Sequence, residues 1–363
     1  SLWRLALGTP GSQPERLTAA GSNASSPRWS ADGKSLYFLS NRSGSNQVWR
    51  LGAGPGEAQQ VTKLPFEVRN FALAPDGRQL VVALDVYVDC ADLACTKKRL
   101  DERAANKASG MHFDGLFIRH WDEWSDGRRS QLFIAGLDAN GIATGEPRRL
   151  TRDISGDVPS RPFGGDEEYA FSTDGRTLYF GVRIPGDKEP WSTNFDVYAV
   201  ATDDESAPRN LTAGNPAWDA FPLPSRDGRK LYYLAMRRPG FESDRYAIME
   251  LDLASGKVRE VAPDWDRSAG RLKLSVDGRT LYTTADDMGE HPLLAVDIAS
   301  GRVKRVAAGG NVSDSISVSH KSAPSQARPE GQLEGARNDP SVSPMDSVPP
   351  ATITSADPQM IRS

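Results

Sequence analysis

Short apolar and aromatic runs recur along this chain, and each follows the same polar turn. The runs are Leu36-Tyr37-Phe38-Leu39, Leu80-Val81-Val82-Ala83, Leu178-Tyr179-Phe180, Leu231-Tyr232-Tyr233-Leu234 and Leu281-Tyr282-Thr283. The turns before them are Ser30-Ala31-Asp32-Gly33-Lys34, Ala74-Pro75-Asp76-Gly77-Arg78, Ser172-Thr173-Asp174-Gly175-Arg176, Ser225-Arg226-Asp227-Gly228-Arg229 and Ser275-Val276-Asp277-Gly278-Arg279. Asp-Gly between two β-rich runs predicts a hairpin, because glycine accepts positive φ without steric cost.

The hairpin returns at intervals of 44, 98, 53 and 50 residues, counted between the turn aspartates. Four short strands with their turns need about 40–45 residues. The 98-residue interval therefore predicts one unit carrying an insertion. Each hairpin is followed by a third strand and by a closing strand that often ends in Leu-Thr or Val-Thr, as at Val61-Thr62, Leu150-Thr151 and Leu211-Thr212. The pattern predicts an all-β chain of four-stranded antiparallel blades, a β-propeller with TolB-like repeats. One blade buries only part of its surface, and stacking blades covers the rest.

The pattern is incomplete at both ends. Leu2-Trp3-Arg4-Leu5 with Arg16-Leu17-Thr18 reads as the last two strands of a blade, and no initiator Met or signal peptide precedes it. We therefore expect a fragment or a processed start. The blades are expected to fill residues 1–317, with a helical and loop insertion over about 88–129. Residues 318–363 contain no Phe, Tyr or Trp and are rich in Pro and Ser, which predicts a disordered tail. The tail reads equally as a natural linker or as a frameshifted continuation.

Net charge is -4 with mixed signs, which gives no basic footprint for nucleic acid. No apolar run is long enough to span a membrane. Cys90 and Cys95 lie close enough for a local disulfide, and two free thiols is the equal alternative. His112, His120, His291 and His320 are scattered, so neither a metal site nor a cofactor is expected.

Distinctive residues gather in the loops opposite the Asp-Gly turns. They include Glu242, Asp244 and Arg245 in one loop, Glu167 and Glu168 in another, and Trp218 with Asp219 in a third. The insertion adds a charged segment, Thr96 to Lys107, expected to be helical, and then Arg119-His120-Trp121-Asp122-Glu123-Trp124. Concentrated Trp, Arg and acid suit a recognition surface. Packing at blade junctions is the alternative role for any one of them, and an Arg119–Asp122 pair around Trp121 is the structural alternative within the insertion.

These motifs, in order, carry a resemblance. Arg119-His120-Trp121-Asp122-Glu123-Trp124, Gly156-Asp157-Val158-Pro159, Trp191-Ser192-Thr193-Asn194, Asn215-Pro216-Ala217-Trp218-Asp219, Arg238-Pro239-Gly240-Phe241-Glu242-Ser243-Asp244-Arg245 and Trp265-Asp266-Arg267-Ser268 resemble the N-terminal propeller of the prolyl oligopeptidase family of serine peptidases. The likeness is to its dipeptidyl-peptidase 5 and acylaminoacyl-peptidase branch. It implies a propeller that gates a C-terminal α/β-hydrolase domain and contacts short peptide substrates, in a periplasmic or secreted enzyme. No Gly-x-Ser-x-Gly nucleophile elbow occurs in these 363 residues, so the chain is expected to be inert by itself. Its expected partners are that hydrolase domain and short peptides. The substrate contacts we expect are Glu242, Asp244, Arg245, Glu167, Glu168, Trp218, Asp219, Arg119 and Trp121. A non-enzymatic scaffold for a protein partner is the alternative reading.

Overall fold

The structure, a computed structural model, describes residues 1–318 except 7–10, 20–22, 53–55, 109, 114–115, 121, 185, 187, 308, 313–315 and 317. The expected tail therefore lies almost wholly outside the described residues, as does Trp121. The chain forms two compact units, Ser1–Ala269 and Gly270–Ser363, and each is described by itself.

In the first unit, β1 (Trp3–Arg4) pairs with β2 (Glu15–Arg16). The first blade is β3 (Ser25–Trp29), β4 (Ser35–Ser40), β5 (Gln47–Gly52) and β6 (Gln59–Gln60). The second begins with β7 (Asn70–Leu73) and β8 (Gln79–Val86). An insertion follows, with α1 (Leu93–Ala105) and the small hairpin of β9 (Arg119–His120) and β10 (Glu123–Trp124). The blade is completed by β11 (Arg129–Leu137) and β12 (Ala143–Arg149). The third blade is β13 (Tyr169–Phe171), β14 (Thr177–Val182), β15 (Asp196–Ala201) and β16 (Arg209–Asn210). The fourth is β17 (Asp219–Pro224), β18 (Lys230–Ala235), β19 (Ala247–Asp252) and β20 (Val258–Glu260). The second unit holds a further blade, β21 (Lys273–Leu274), β22 (Thr280–Thr284), β23 (Leu293–Asp297) and β24 (Val303–Ala307). All five are antiparallel meanders, and the fold is all-β of the propeller class. The expected six or seven blades concerned a longer parent protein; five four-stranded blades stand among the described residues. The long interval holds one blade with an insertion between its second and third strands.

The five turns share one construction. Their glycines have φ between 68° and 74°, the left-handed region where a side chain is strained. In four of them a serine hydroxyl donates to the turn aspartate at 2.6 Å, as Ser30 does to Asp32. The same serine oxygen accepts the N–H that opens the next strand, as from Ser35 at 3.0 Å. Ala74 replaces that serine in the second blade, where Asp76 still accepts from the Arg78 N–H.

The closing threonines also have a physical reason. Thr18, Thr62, Thr151 and Thr212 are buried, and each hydroxyl accepts a backbone N–H from Leu2, Val48, Leu132 or Val197 at 2.8–3.1 Å. Thr62 and Thr151 then donate to Gln47 and Gln131 at 2.8 and 2.7 Å. Those glutamines hold the following loop through Phe66 O and Gly156 O. The β1–β2 pair carries the same threonine contact as the last two strands of a blade, as its sequence predicted.

Both faces of the second strand in each blade are buried, so these strands read as unbroken apolar runs rather than alternating ones. Along β8, Leu80, Val82 and Leu84 pack with Tyr37, Leu39 and Val48 of the first blade. Val81 and Ala83 pack toward Tyr169, Phe171, Leu178 and Phe180 of the third. Tyr179 and Val197 meet Leu231, Tyr233 and Ala235 of the fourth. Face-to-face stacking of blades therefore supplies the core of the first unit.

Helix α1 begins three residues before the expected Thr96. Asp92 caps it by accepting from the Cys95 N–H at 2.7 Å, and Leu93 and Thr96 turn inward. Cys90 and Cys95 are joined as a disulfide, with Cα atoms 5.5 Å apart. Of the two readings of this pair, the structure has the bridge. Arg99 reinforces the same turn with a fork onto Asp89 at 2.8 and 2.7 Å.

Candidate functional site

The strand ends opposite the Asp-Gly turns converge on a chain of charges. Asp85 is the penultimate residue of β8, and Arg129 opens β11 opposite Val86 beside it. Asp157 and Arg161 come from the segment after β12, Arg183 from the end of β14, and Glu189 from the short helical turn Glu189–Trp191. Arg129 donates to Asp157 at 2.8 Å and forks onto both oxygens of Glu189 at 2.8 and 2.7 Å. Arg161 pairs with Asp85 at 2.5 Å and lies 3.3 Å from Asp157. Arg69 reaches Asp85 at 3.1 Å. Asp157 also accepts the Ser130 N–H at 2.7 Å, tying the network to the backbone of β11.

These ions are only partly wet, and burial alone would favour neutral forms. Burial acts to lower the Arg129 value, but the hydrogen bonds to Glu189 and Asp157 outweigh it and hold the guanidinium well above its usual range. Arg183 goes the other way, lowered by burial with only partial support from Glu189, Asp157 and Glu242. Its guanidinium carbon lies 5.8 and 5.2 Å from the ring centres of Phe117 and Phe195. One nitrogen donates to Ser192 O at 2.9 Å, while Glu189 is 3.9 Å from another. Its buried Nε has no hydrogen-bond partner.

A cavity of about 730 Å³ opens over this network. The insertion forms one wall, through Arg103, His112, Phe113, Phe117, Arg119 and Trp124. Arg119 lies over the Trp124 ring at 5.7 Å, and Phe113 stacks on the same ring at 6.1 Å. The β9–β10 register, with Arg119 opposite Trp124, makes that contact. Arg119 and Asp122 are exposed; the pairing of the two around Trp121 lies outside the described residues.

The other expected contacts fall into two groups. Trp218 and Glu242 lie near Arg183. Trp218 stacks on Phe195 at 4.4 Å and meets Tyr246 edge-on at 6.3 Å. Glu242 is exposed, forms no hydrogen bond or ion pair, and its charge acts on both Arg183 and Tyr246. The remaining residues are tied into the fold. Asp244 accepts the N–H groups of Arg237 and Arg238 at 2.8 Å, closing its own loop. Arg245 binds Glu260 at 2.6 Å and Trp265 O at 2.9 Å. Glu168 accepts from the Ser160 N–H and hydroxyl, both at 2.6 Å. Glu167 is half-buried beside Gly165.

Asp219 is fully buried at the start of β17. Asn215 donates to one of its oxygens at 2.7 Å; the other has no partner, and one oxygen of buried Asp196 is in the same state. Burial pushes the Asp219 carboxyl up to about 7, against hydrogen bonds from Asn215 and Thr212 and with the Asp196 charge adding to the rise. Asp196 stands where Gln47 and Gln131 stand in earlier blades, so an acid replaces an amide there. Among the described residues no group of three His, Cys, Asp or Glu side chains is arranged to hold a metal ion.

The network itself was not found from the sequence. Asp157 was noticed only within a motif, and Arg129, Arg161, Arg183 and Glu189 were not singled out. Arg129 and Arg183 stand at strand ends while Asp157, Arg161 and Glu189 lie in connecting segments, and no local signal sets these charges apart from solvated ones.

No family model matches the chain. It is 28% identical over 300 residues to dipeptidyl-peptidase 5 of Porphyromonas gingivalis, covering 82% of this chain and 42% of that protein. It is 33% identical over 285 residues to dipeptidyl-peptidase 5 of Trichophyton schoenleinii, covering 73% of this chain and 39% of that protein. The chain thus spans about two fifths of the length of the curated relatives it matches. Among solved structures, the acylaminoacyl peptidase of Pyrococcus horikoshii superposes with a TM-score of 0.53 at 17% identity, over 79% of this chain and 39% of that one. That likeness speaks for the propeller fold. The chain is thus a β-propeller similar in sequence to about two fifths of the length of dipeptidyl-peptidase 5 proteins.

Proposed function

We propose that this chain is the substrate-gating and recognition propeller of a serine exopeptidase that acts on short peptides, and that it is inert without an α/β-hydrolase domain. The observation that carries the reading is the cavity on the loop face, lined by the incompletely paired Arg183, together with the exposed acid Glu242, whose charge acts on that arginine. Glu242 would hold a peptide α-amino group by a charge-assisted hydrogen bond. Arg183 would hold a carbonyl or carboxylate further along. The aromatic surface of Phe195, Trp218 and Tyr246 would pack between them. The Cys90–Cys95 bridge fits a periplasmic or secreted setting.

The test is the Glu242→Ala equivalent in a full-length relative. We expect a large fall in kcat/KM for peptides with a free amino end and little change for blocked ones. Unchanged kinetics for both would remove Glu242 from the reading.

A second reading, a scaffold for a protein partner, is favoured by one observation. Trp191, Phe163 and Trp124 are 72%, 70% and 58% exposed on the same loops. Stable capture of a folded protein by this face, with no peptide binding, would select it.

A further inference from the structure

Six guanidinium groups and four carboxylates line the cavity, in a chain whose net charge is -4. The buried carboxylates there are already engaged. Glu189 has both oxygens on Arg129, and Asp157 is shared between Arg129 and the Ser130 N–H. The exposed acid of this cavity, Glu123, stands on the β10 strand of the insertion wall, and both buried acids are engaged. Arg183 is in the opposite condition. Its Nε has no acceptor, and its Nη2 is 3.9 Å from a carboxylate that another arginine already holds. Nε and Nη2 form one edge of the guanidinium plane, the edge that takes a carboxylate through two parallel hydrogen bonds. The Ser192 O hydrogen bond and the contacts with Phe117 and Phe195 restrain the group, so less freedom is lost on binding. A fifth of the side chain, 20%, is open and lines the cavity, while Nε itself is buried, so a carboxylate reaches that edge only by entering past the open part.

We propose that the cavity selects peptides that present a carboxylate to Arg183, in addition to the amino group held at Glu242. This rests on the peptide-recognition reading of the same site. The carboxylate comes from an acidic side chain or from the carboxyl end of a very short peptide.

The test is calorimetric titration of the full 363-residue chain with four probes. Ala-Glu-Ala amide carries only a side-chain carboxylate, Ala-Gln-Ala free acid only a terminal one, and Ala-Gln-Ala amide neither; glutarate is a dicarboxylate without a peptide. We expect one of the two carboxylate peptides to bind about tenfold more tightly than the neutral amide. Which one does so identifies the source. Arg183→Gln should erase the difference, and Arg183→Lys should keep part of it. If the neutral amide binds as well as the other two, the peptide reading stands and carboxylate selection falls. If glutarate binds through Arg183 and no peptide does, the carboxylate site stands and the peptide reading falls. If nothing binds, both fall. Should Arg183→Gln fail to fold, the unmodified chain decides by salt: the preference must shrink as NaCl is raised, and a preference indifferent to salt overturns the assignment.

Discussion

Arg129 and Glu189 meet through two parallel hydrogen bonds of 2.8 and 2.7 Å, joining the third strand of one blade to a loop of the next. Glu189 is 5% exposed, so the pair is screened little by salt and has few other partners to turn to. Its role is to set the position of the loop that borders Arg183. A buried pair of this kind contributes register more than net stability, because desolvation offsets much of the attraction.

Removing one partner is therefore far costlier than the pair is worth. Arg129→Ala strands Glu189 and Asp157 together, and we expect a loss of about 3–5 kcal/mol. The check is the urea midpoint at unchanged slope. A loss under 1 kcal/mol, in the range of an exposed pair, would mean that the two acids find water instead.

Asp219 gives the protein a pH dependence of unusual sign. Its carboxyl titrates near 7 when folded, and an unfolded aspartate titrates near 3.9. Between these values the folded state binds the extra proton, so stability falls as pH rises from about 4 to about 7 and is level above that. Asp219→Asn should remove this slope and raise stability at pH 8 by up to about 4 kcal/mol. Thermal melts across pH 4–8 test it, and identical slopes for both proteins would be the contrary result.

The closing threonine can be tested in one position. Thr151→Val keeps the shape but leaves the Leu132 N–H without its acceptor, while the Gln131 oxygen keeps its two bonds from Arg149. We expect a cost of about 1–3 kcal/mol, read from chemical denaturation. The fourth blade has Ala262 at the corresponding place, following Val261, whose N–H bonds to Ile248 O. The threonine is thus an added tie rather than a condition for the blade.

The disulfide closes a short loop at the start of α1. Its loss, by reduction or by Cys90→Ser with Cys95→Ser, should cost about 2 kcal/mol or less by the loop-entropy relation. Asp92 and the Arg99–Asp89 fork hold the same turn, so the change should stay local. Hydrogen exchange should rise across α1 and remain unchanged in β8 and β11. Faster exchange in those two strands would show that the bridge supports the blade itself.

For activity, the isolated chain should not hydrolyse a dipeptidyl p-nitroanilide at any concentration. It holds no Gly-x-Ser-x-Gly serine, and a triad needs nucleophile, base and orienting acid together. Turnover abolished by a serine-directed fluorophosphonate would overturn the expectation.

Much of the fold was legible because its signals are local. Asp-Gly turns, strand-length apolar runs and closing threonines act within one blade, and each states its structure through neighbouring residues. The insertion after β8 was visible as a gap in the repeat, and its helix was misplaced by only the reach of the Asp92 cap. Trp218 and Glu242 were singled out because aromatic and charged residues stand out in short loops. Asp244, Arg245 and Glu168 stood out for the same reason, but their partners, the Arg237 and Arg238 amides, Glu260 and Ser160, are known only from the folded loops. Arg129, Asp157, Arg183 and Glu189 are spread over sixty residues of sequence, and nothing local distinguishes them from solvated charges. The sequence by itself determined the blade, since the period of its turns and apolar runs leaves few other ways to bury them. Only the tertiary structure decided which charges pair and which arginine keeps a buried nitrogen without a partner among the described residues, because that depends on the stacking of one blade against the next.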